Sequence, residues 1–406
     1  MAAALAVFMA AFLMAALPAS ANEAAPAQAA PSEYAPNEDA MPGTNAPDTP
    51  DDPRPHSGTS LEVMVGQMLL AGFRGMTLDD SPELRRDLTE HHLGGVILFD
   101  RDVALHSDRR NIESPEQLAR LTASLRALAR ELGLPPPLIA VDQEGGRVQR
   151  LKASRGFRET PPAKALAARP DDLLETMSAG LTVGTQLAEL GINLDFAPVL
   201  DVDANPQNPA IGALGRSFSA SPRVVAAHGA AFAGMLREAG VLCCVKHFPG
   251  HGSSATDSHL GLPDVTNTWT EAELLPFRRL IEEDATDLVM TGHLFNEHWD
   301  PELPASLSPR VVTGMLREDL GFGGVVVTDD LDMAAVAERH SLKERIRLAV
   351  LAGSDVLLLG NNLSYDPDLV PKAHAALLEL VREGSIPEAR IERSWARIRA
   401  LKDGLR

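Results

Sequence analysis

The segment Lys246-His247-Phe248-Pro249-Gly250-His251-Gly252 continues as Ser253-Ser254-Ala255-Thr256-Asp257-Ser258-His259. It sets three histidines, two glycines and several small hydroxyl residues directly after an apolar run. Asp257 and His259 stand two residues apart, so in an extended loop their side chains point the same way. The carboxylate can then hold one ring nitrogen and leave the other free for proton transfer. Such pairs also occur without chemistry; the position after a strand-like run is what favours a working acid/base. Gly250 and Gly252 admit backbone angles that would let this loop hinge over a ligand.

A second run, Gly323-Gly324-Val325-Val326-Val327-Thr328, delivers Asp329 as the first residue after an apolar strand. A carboxylate placed beneath an anomeric carbon can trap the oxocarbenium-like species of glycoside cleavage. Asp330 and Asp332 read better as caps of the following helix. A third segment, Val141-Asp142-Gln143-Glu144-Gly145-Gly146-Arg147-Val148-Gln149-Arg150, carries a double glycine suited to close approach of backbone and ligand. Its Asp142 and Arg150 could grip sugar hydroxyls. The spacing G-x-G-x-x-G is absent, so this is no dinucleotide fingerprint.

The elements that must position these groups alternate along the chain. Strand-like runs fall at 68–72, 95–99, 138–142, 193–197, 241–246, 288–291, 324–328 and 355–359. Stretches of helical period lie between most of them, at 114–131, 171–190, 222–239, 270–283, 309–320 and 342–352, with two more at 368–382 and 387–402. The first run is ambiguous, because 63–71 also reads as a helix. Eight strands alternating with helices favour a single (β/α)8 TIM-like barrel over a doubly wound sheet. Asp100 and Arg101, Asp142, Asp195, Lys246 and His247, His293, and Asp329 then fall at C-terminal strand ends, the rim where barrel active sites are built.

Outside the barrel, residues 1–17 are apolar and Ala19-Ser20-Ala21 gives a small-x-small cleavage pattern, although no Lys or Arg precedes the run. The expected organisation is a signal peptide at 1–21, a disordered acidic Pro/Ala-rich linker at 22–59 and the barrel at 60–406, in an exported protein, periplasmic or secreted. No stable membrane span is expected once the leader is removed. The net charge of −19 and the lack of a Lys/Arg cluster argue against nucleic acid. The two cysteines, Cys243 and Cys244, are adjacent in an apolar run and read as small buried hydrophobes. No H-x-H or H-E-x-x-H pair occurs, so no metal site and no cofactor are expected.

Together the three segments resemble glycoside hydrolase family 3, in its β-N-acetylglucosaminidase branch of bacterial cell-wall-recycling β-hexosaminidases. The K-H-F-P-G-H-G run followed by D-S-H carries the resemblance, which covers about residues 60–400. It implies a retaining enzyme that removes terminal N-acetylglucosamine from peptidoglycan fragments or chitin oligosaccharides, working as a monomer. It further implies Asp329 as nucleophile, His259 as acid/base polarised by Asp257, and Asp142, Arg150, Arg216, Lys246 and His247 as sugar-binding residues. A phosphorylase on the same scaffold, a family 3 β-glucosidase and a non-catalytic sugar-binding protein are the alternatives.

Overall fold

The computed structural model describes residues 58–405; the expected leader and almost all of the linker lie outside them. Eight parallel strands form the inner layer. They are β1 (Leu69–Gly72), β2 (Gly95–Ile97), β3 (Leu138–Val141), β6 (Leu194–Asp195), β7 (Leu242–Phe248), β8 (Leu288–Thr291), β9 (Val325–Thr328) and β10 (Leu357–Leu359). They pair in the order β10-β1-β2-β3-β6-β7-β8-β9. A parallel bridge between Val327 and Val356 joins the two ends, so the sheet closes on itself as a (β/α)8 barrel. All eight expected strands are present. Most read as unbroken apolar runs because both their faces are covered, by the barrel interior and by the helices. Cys243 and Cys244 sit inside β7, fully buried.

The helices follow the expected positions closely. Ser114 caps Pro115–Glu131 by accepting from Gln117 N at 3.2 Å, and Ser341 caps Leu342–Ala352 by accepting from Glu344 N at 3.3 Å. Three differences are instructive. The ambiguous stretch at 63–71 is both elements in turn, a helix over Leu61–Gln67 followed at once by β1. The helix expected at 309–320 is wound as a π-helix over Arg310–Asp319. A helix over Pro82–Glu90 was not foreseen, although Pro82 after Ser81 is a ready start signal. Among the described residues no helix is long and apolar enough to cross a membrane.

Candidate active site

The exits of β3, β7 and β9 meet around a cavity of about 210 Å³ at the C-terminal end of the barrel. All eight residues expected from the sequence line it: Asp142, Arg150, Arg216, Lys246, His247, Asp257, His259 and Asp329. Ile97, Phe99, Leu214, Met290, Met333 and Leu358 supply its apolar wall.

The polar wall begins after β3. Gln143–Gly145 (β4) and Val148–Gln149 (β5) form a hairpin whose turn needs Gly145 at φ 95° and Gly146 at φ 60°. The double glycine is also required by packing, since a Cβ on Gly145 would strike Pro161 and one on Gly146 would strike Pro162. The hairpin folds Arg150 back onto Asp142, Nη2 to Oδ2 at 3.1 Å. Lys246, at the end of β7, donates to Asp142 Oδ1 at 2.7 Å and lies 2.7 Å from Glu144 Oε1. Arg216 engages Glu144 through both Nε and Nη2, at 2.8 and 2.7 Å. Burial alone would raise the Asp142 carboxyl, but the Lys246 ammonium and the Arg150 guanidinium outweigh it and hold the group well below the carboxylate range. Glu144 is lowered in the same way against its burial, by Arg216 and Lys246. The result is a charged wall of the cavity in which Asp142, Arg150, Lys246 and Arg216, with Glu144 behind, hold one another in place.

His247 follows Lys246 through a cis peptide bond and gives its Nδ1 to Asp201 Oδ2 at 2.6 Å. Asp201 also accepts from the backbone of His247 and of His251, at 3.1 and 2.7 Å. Against its burial, the imidazole of His247 keeps Asp201 down at about 2. His259 Nδ1 meets Asp257 Oδ1 at 2.8 Å, and the same oxygen accepts the His259 backbone N–H at 3.0 Å. That bond, set against partial burial, holds Asp257 at about 2; it also raises His259, aided by the charge of Asp329. The His259 side chain remains half exposed, and the bond to Asp257 engages Nδ1 rather than Nε2.

Asp329 leaves β9 with its N–H bonded to Thr291 O at 3.0 Å and its Oδ1 accepting from Asp330 N at 2.8 Å. Burial pushes the carboxyl upward, but His247, His293 and His259 together bring it below its ordinary value, so it is ionised. Asp330 and Asp332 do not cap the following helix, as the sequence suggested. Asp330 Oδ1 accepts from Gly360 N at 2.8 Å and Asp332 Oδ2 from Asn361 N at 3.3 Å, which fastens the exit of β9 to that of β10. Burial and the neighbouring Asp332 push Asp330 up to about 7.

Four other strand-end residues stay out of the cavity, Arg101 among them, which lines the groove beside it. Asp100 pairs with Lys152, Asp195 is fully buried and accepts from Gln143 N, and His293 bonds Ser306 and Asp330 O. Glu144, Asp201 and His251 belong to the site but were not singled out. Glu144 stands in the third segment, two residues after Asp142. Asp201 follows the apolar run after Asp195, yet nothing local marks it as the partner of a histidine 46 residues away. A groove of about 360 Å³ opens beside the cavity between Arg101, Val103, Lys152 and Leu363. It shares Phe99, Arg150, His259 and Asp330 with the cavity, so His259 stands where the two meet.

The family model for the glycosyl hydrolase family 3 N terminal domain matches residues 60–401. A β-hexosaminidase of Alkalilimnicola ehrlichii is 39% identical over 343 residues, covering 82% of this chain and 90% of the relative. A glycoside hydrolase family 3 β-N-acetylglucosaminidase from Paenibacillus sp. superposes with a TM-score of 0.78 at 40% identity, over 85% of this chain and 62% of that one. The β-N-acetylhexosaminidase of Beutenbergia cavernae gives a TM-score of 0.74 at 32% identity, over 85% of this chain and 99% of the other.

Proposed function

The chain belongs to glycosyl hydrolase family 3, and from that membership we propose that it is a retaining β-N-acetylhexosaminidase releasing terminal N-acetylglucosamine from peptidoglycan fragments or chitin oligosaccharides. The observation that carries the reading is the meeting, in one cavity, of an ionised carboxylate at Asp329 and an imidazole at His259 whose Nδ1 is held by Asp257.

In the first step an Asp329 oxygen attacks the anomeric carbon, the glycosidic C–O bond breaks, and His259 Nε2 gives its proton to the departing oxygen. In the second step water attacks the same carbon and passes a proton to Nε2, while the bond to Asp329 breaks. Asp142, Arg150, Lys246 and Arg216 hold the sugar hydroxyls, and His247, oriented by Asp201, adds a further contact. The groove beyond His259 suits the leaving group, because a proton donor belongs at the junction of sugar and aglycone.

The test is turnover of p-nitrophenyl β-N-acetylglucosaminide against the β-glucoside, with the first-formed anomer followed by proton NMR. The reading expects strong preference for the amino sugar and initial release of its β-anomer. Preference for the glucoside, or initial α-anomer, overturns it. The N-terminal pattern supports export of the enzyme, which fractionation of cells into periplasm, medium and cytoplasm would test.

A further inference from the structure

The charged and imidazole side chains lining the cavity each have a hydrogen-bond partner among the described residues, with the exception of His251. Its ring is 2% exposed, it lines the cavity, and neither Nδ1 nor Nε2 has a partner. The placement is firm, not loose. The backbone N–H donates to Asp201 Oδ1 at 2.7 Å, and the carbonyl accepts from Asn208 Nδ2 at 2.7 Å. Two unpartnered nitrogens in a buried ring disfavour the folded state, so a ring clamped in this way is explained by a ligand that supplies the partner. Burial, reinforced by neighbouring His247, lowers His251 to about 4, which keeps the ring neutral with one donor and one acceptor.

Its neighbours indicate which part of a ligand it meets. The ring packs edge-on against His247 at 5.8 Å between centroids, and it lines the same cavity as Asp257 and His259, which follow it on the loop after β7. Along this loop it stands between His247, which belongs to the polar wall, and the Asp257–His259 pair that acts at the anomeric carbon. Going round a hexosamine ring from C1 toward the C3 hydroxyl, the intervening substituent is the acetamide on C2, which itself carries one donor and one acceptor. We propose that His251 recognises the C2 acetamido substituent of the substrate. The inference rests on the reading of the substrate as an N-acetylhexosaminide.

The experiment compares wild-type full-length enzyme with His251→Phe and His251→Ala on p-nitrophenyl β-N-acetylglucosaminide and on the β-glucoside, with melting temperatures measured alongside. Where glucoside turnover is too slow to rank, inhibition constants of N-acetylglucosamine and glucose give the same ratio. Loss of kcat/KM on the amino sugar by roughly ten- to a hundred-fold is expected, with less than about three-fold loss on the glucoside. Melting temperature should hold or rise in His251→Phe, because an unsatisfied buried polar ring is replaced by an apolar one; His251→Ala keeps the ratio readable if the larger ring cannot be housed. Equal loss on both sugars, or an unchanged ratio in both variants, overturns the proposal. A wild-type enzyme that prefers the glucoside instead overturns the substrate reading on which it rests.

Discussion

At the scale of single residues, the chemistry assigned to Asp329 and His259 depends on opposite electrostatic treatment of similar groups. Asp329 is held ionised by three imidazoles, whereas adjacent Asp330 is pushed up to about 7 by burial and Asp332 and is used to bind Gly360. Asp329→Ala should therefore lower kcat by several orders of magnitude, on the order of what is lost when a covalent route is removed. Asp330→Asn should cost far less. Near wild-type turnover in Asp329→Ala would sink the nucleophile assignment. For His259 the telling measurement is leaving-group dependence. His259→Ala should slow natural disaccharides far more than activated aryl glycosides, which need little protonation; equal slowing would move the acid/base role elsewhere. The bond to Asp257 raises His259, so the proton needed for the first step persists to higher pH than in a free imidazole. Asp257→Asn removes that charge, lowers the ring's pKa, and should shift the basic limb of kcat/KM toward lower pH. Superimposable basic limbs in the two enzymes would contradict the pairing.

At the scale of elements, the loop after β7 is anchored by close contacts of its own glycines. Gly250 holds φ 122°, a conformation that side chains with a Cβ rarely adopt, and a Cβ there would lie 2.8 Å from the Cβ of Glu273. Gly252 has another reason to be glycine, because a Cβ there would lie 1.6 Å from Val202 O. The loop is further tied down by Glu273, whose Oε2 accepts from Ser253 N at 3.3 Å. Gly252→Ala should displace the Asp257–His259 pair and reduce kcat roughly ten-fold or more, since reacting groups tolerate little misplacement. Gly261, with nothing within 4 Å of an added Cβ, is the matched control, and Gly261→Ala should be near neutral. If both variants behave alike, close approach at Gly252 does not position the acid/base pair.

At the scale of the whole molecule, the closing of the barrel is backed by a buried charge cluster on the side away from the substrate wall. Asp355 bonds Arg317 at 2.6 Å and Ser394 at 2.8 Å, lies 3.3 Å from Arg397 and 3.5 Å from Arg390, and accepts from Val326 N at 3.1 Å. It thus joins β9, the π-helix and the final helix, Glu388–Asp403. Burial would raise its carboxyl, but the guanidiniums outweigh this and lower it. Its stabilising contribution is therefore complete above the ordinary carboxylate range and is lost only as pH falls through the lowered value. Asp355→Ala leaves buried cations uncompensated and should cost about 3–5 kcal/mol, lowering the melting temperature by about 5–10 °C. A melting temperature within error of wild type would show that the cluster does not hold the closure.

The sequence by itself determined the strands, most of the helices and the cavity's principal side chains, because each is announced locally. Apolar runs mark β3, β7 and β9, period and capping residues mark the helices, Asp142 and Asp329 follow their strands directly, and Lys246 and His247 lie in the last residues of β7. Asp257 and His259 were legible for the same reason, two residues apart on one loop. What tertiary structure decided are the partnerships between groups distant in the chain. Lys246 meets Asp142 across 104 residues, Arg216 meets Glu144 across 72, and His247 meets Asp201 across 46. Strand ends also proved ambiguous, since Asp195 and Asp329 look alike in sequence, yet one is sealed within the barrel and the other faces the cavity. Which way an exit side chain turns depends on strand tilt and on what packs above it. Local residue spacing therefore foretells that a group reaches the rim, while the closed barrel determines whether it meets a ligand, a counter-ion or only the core.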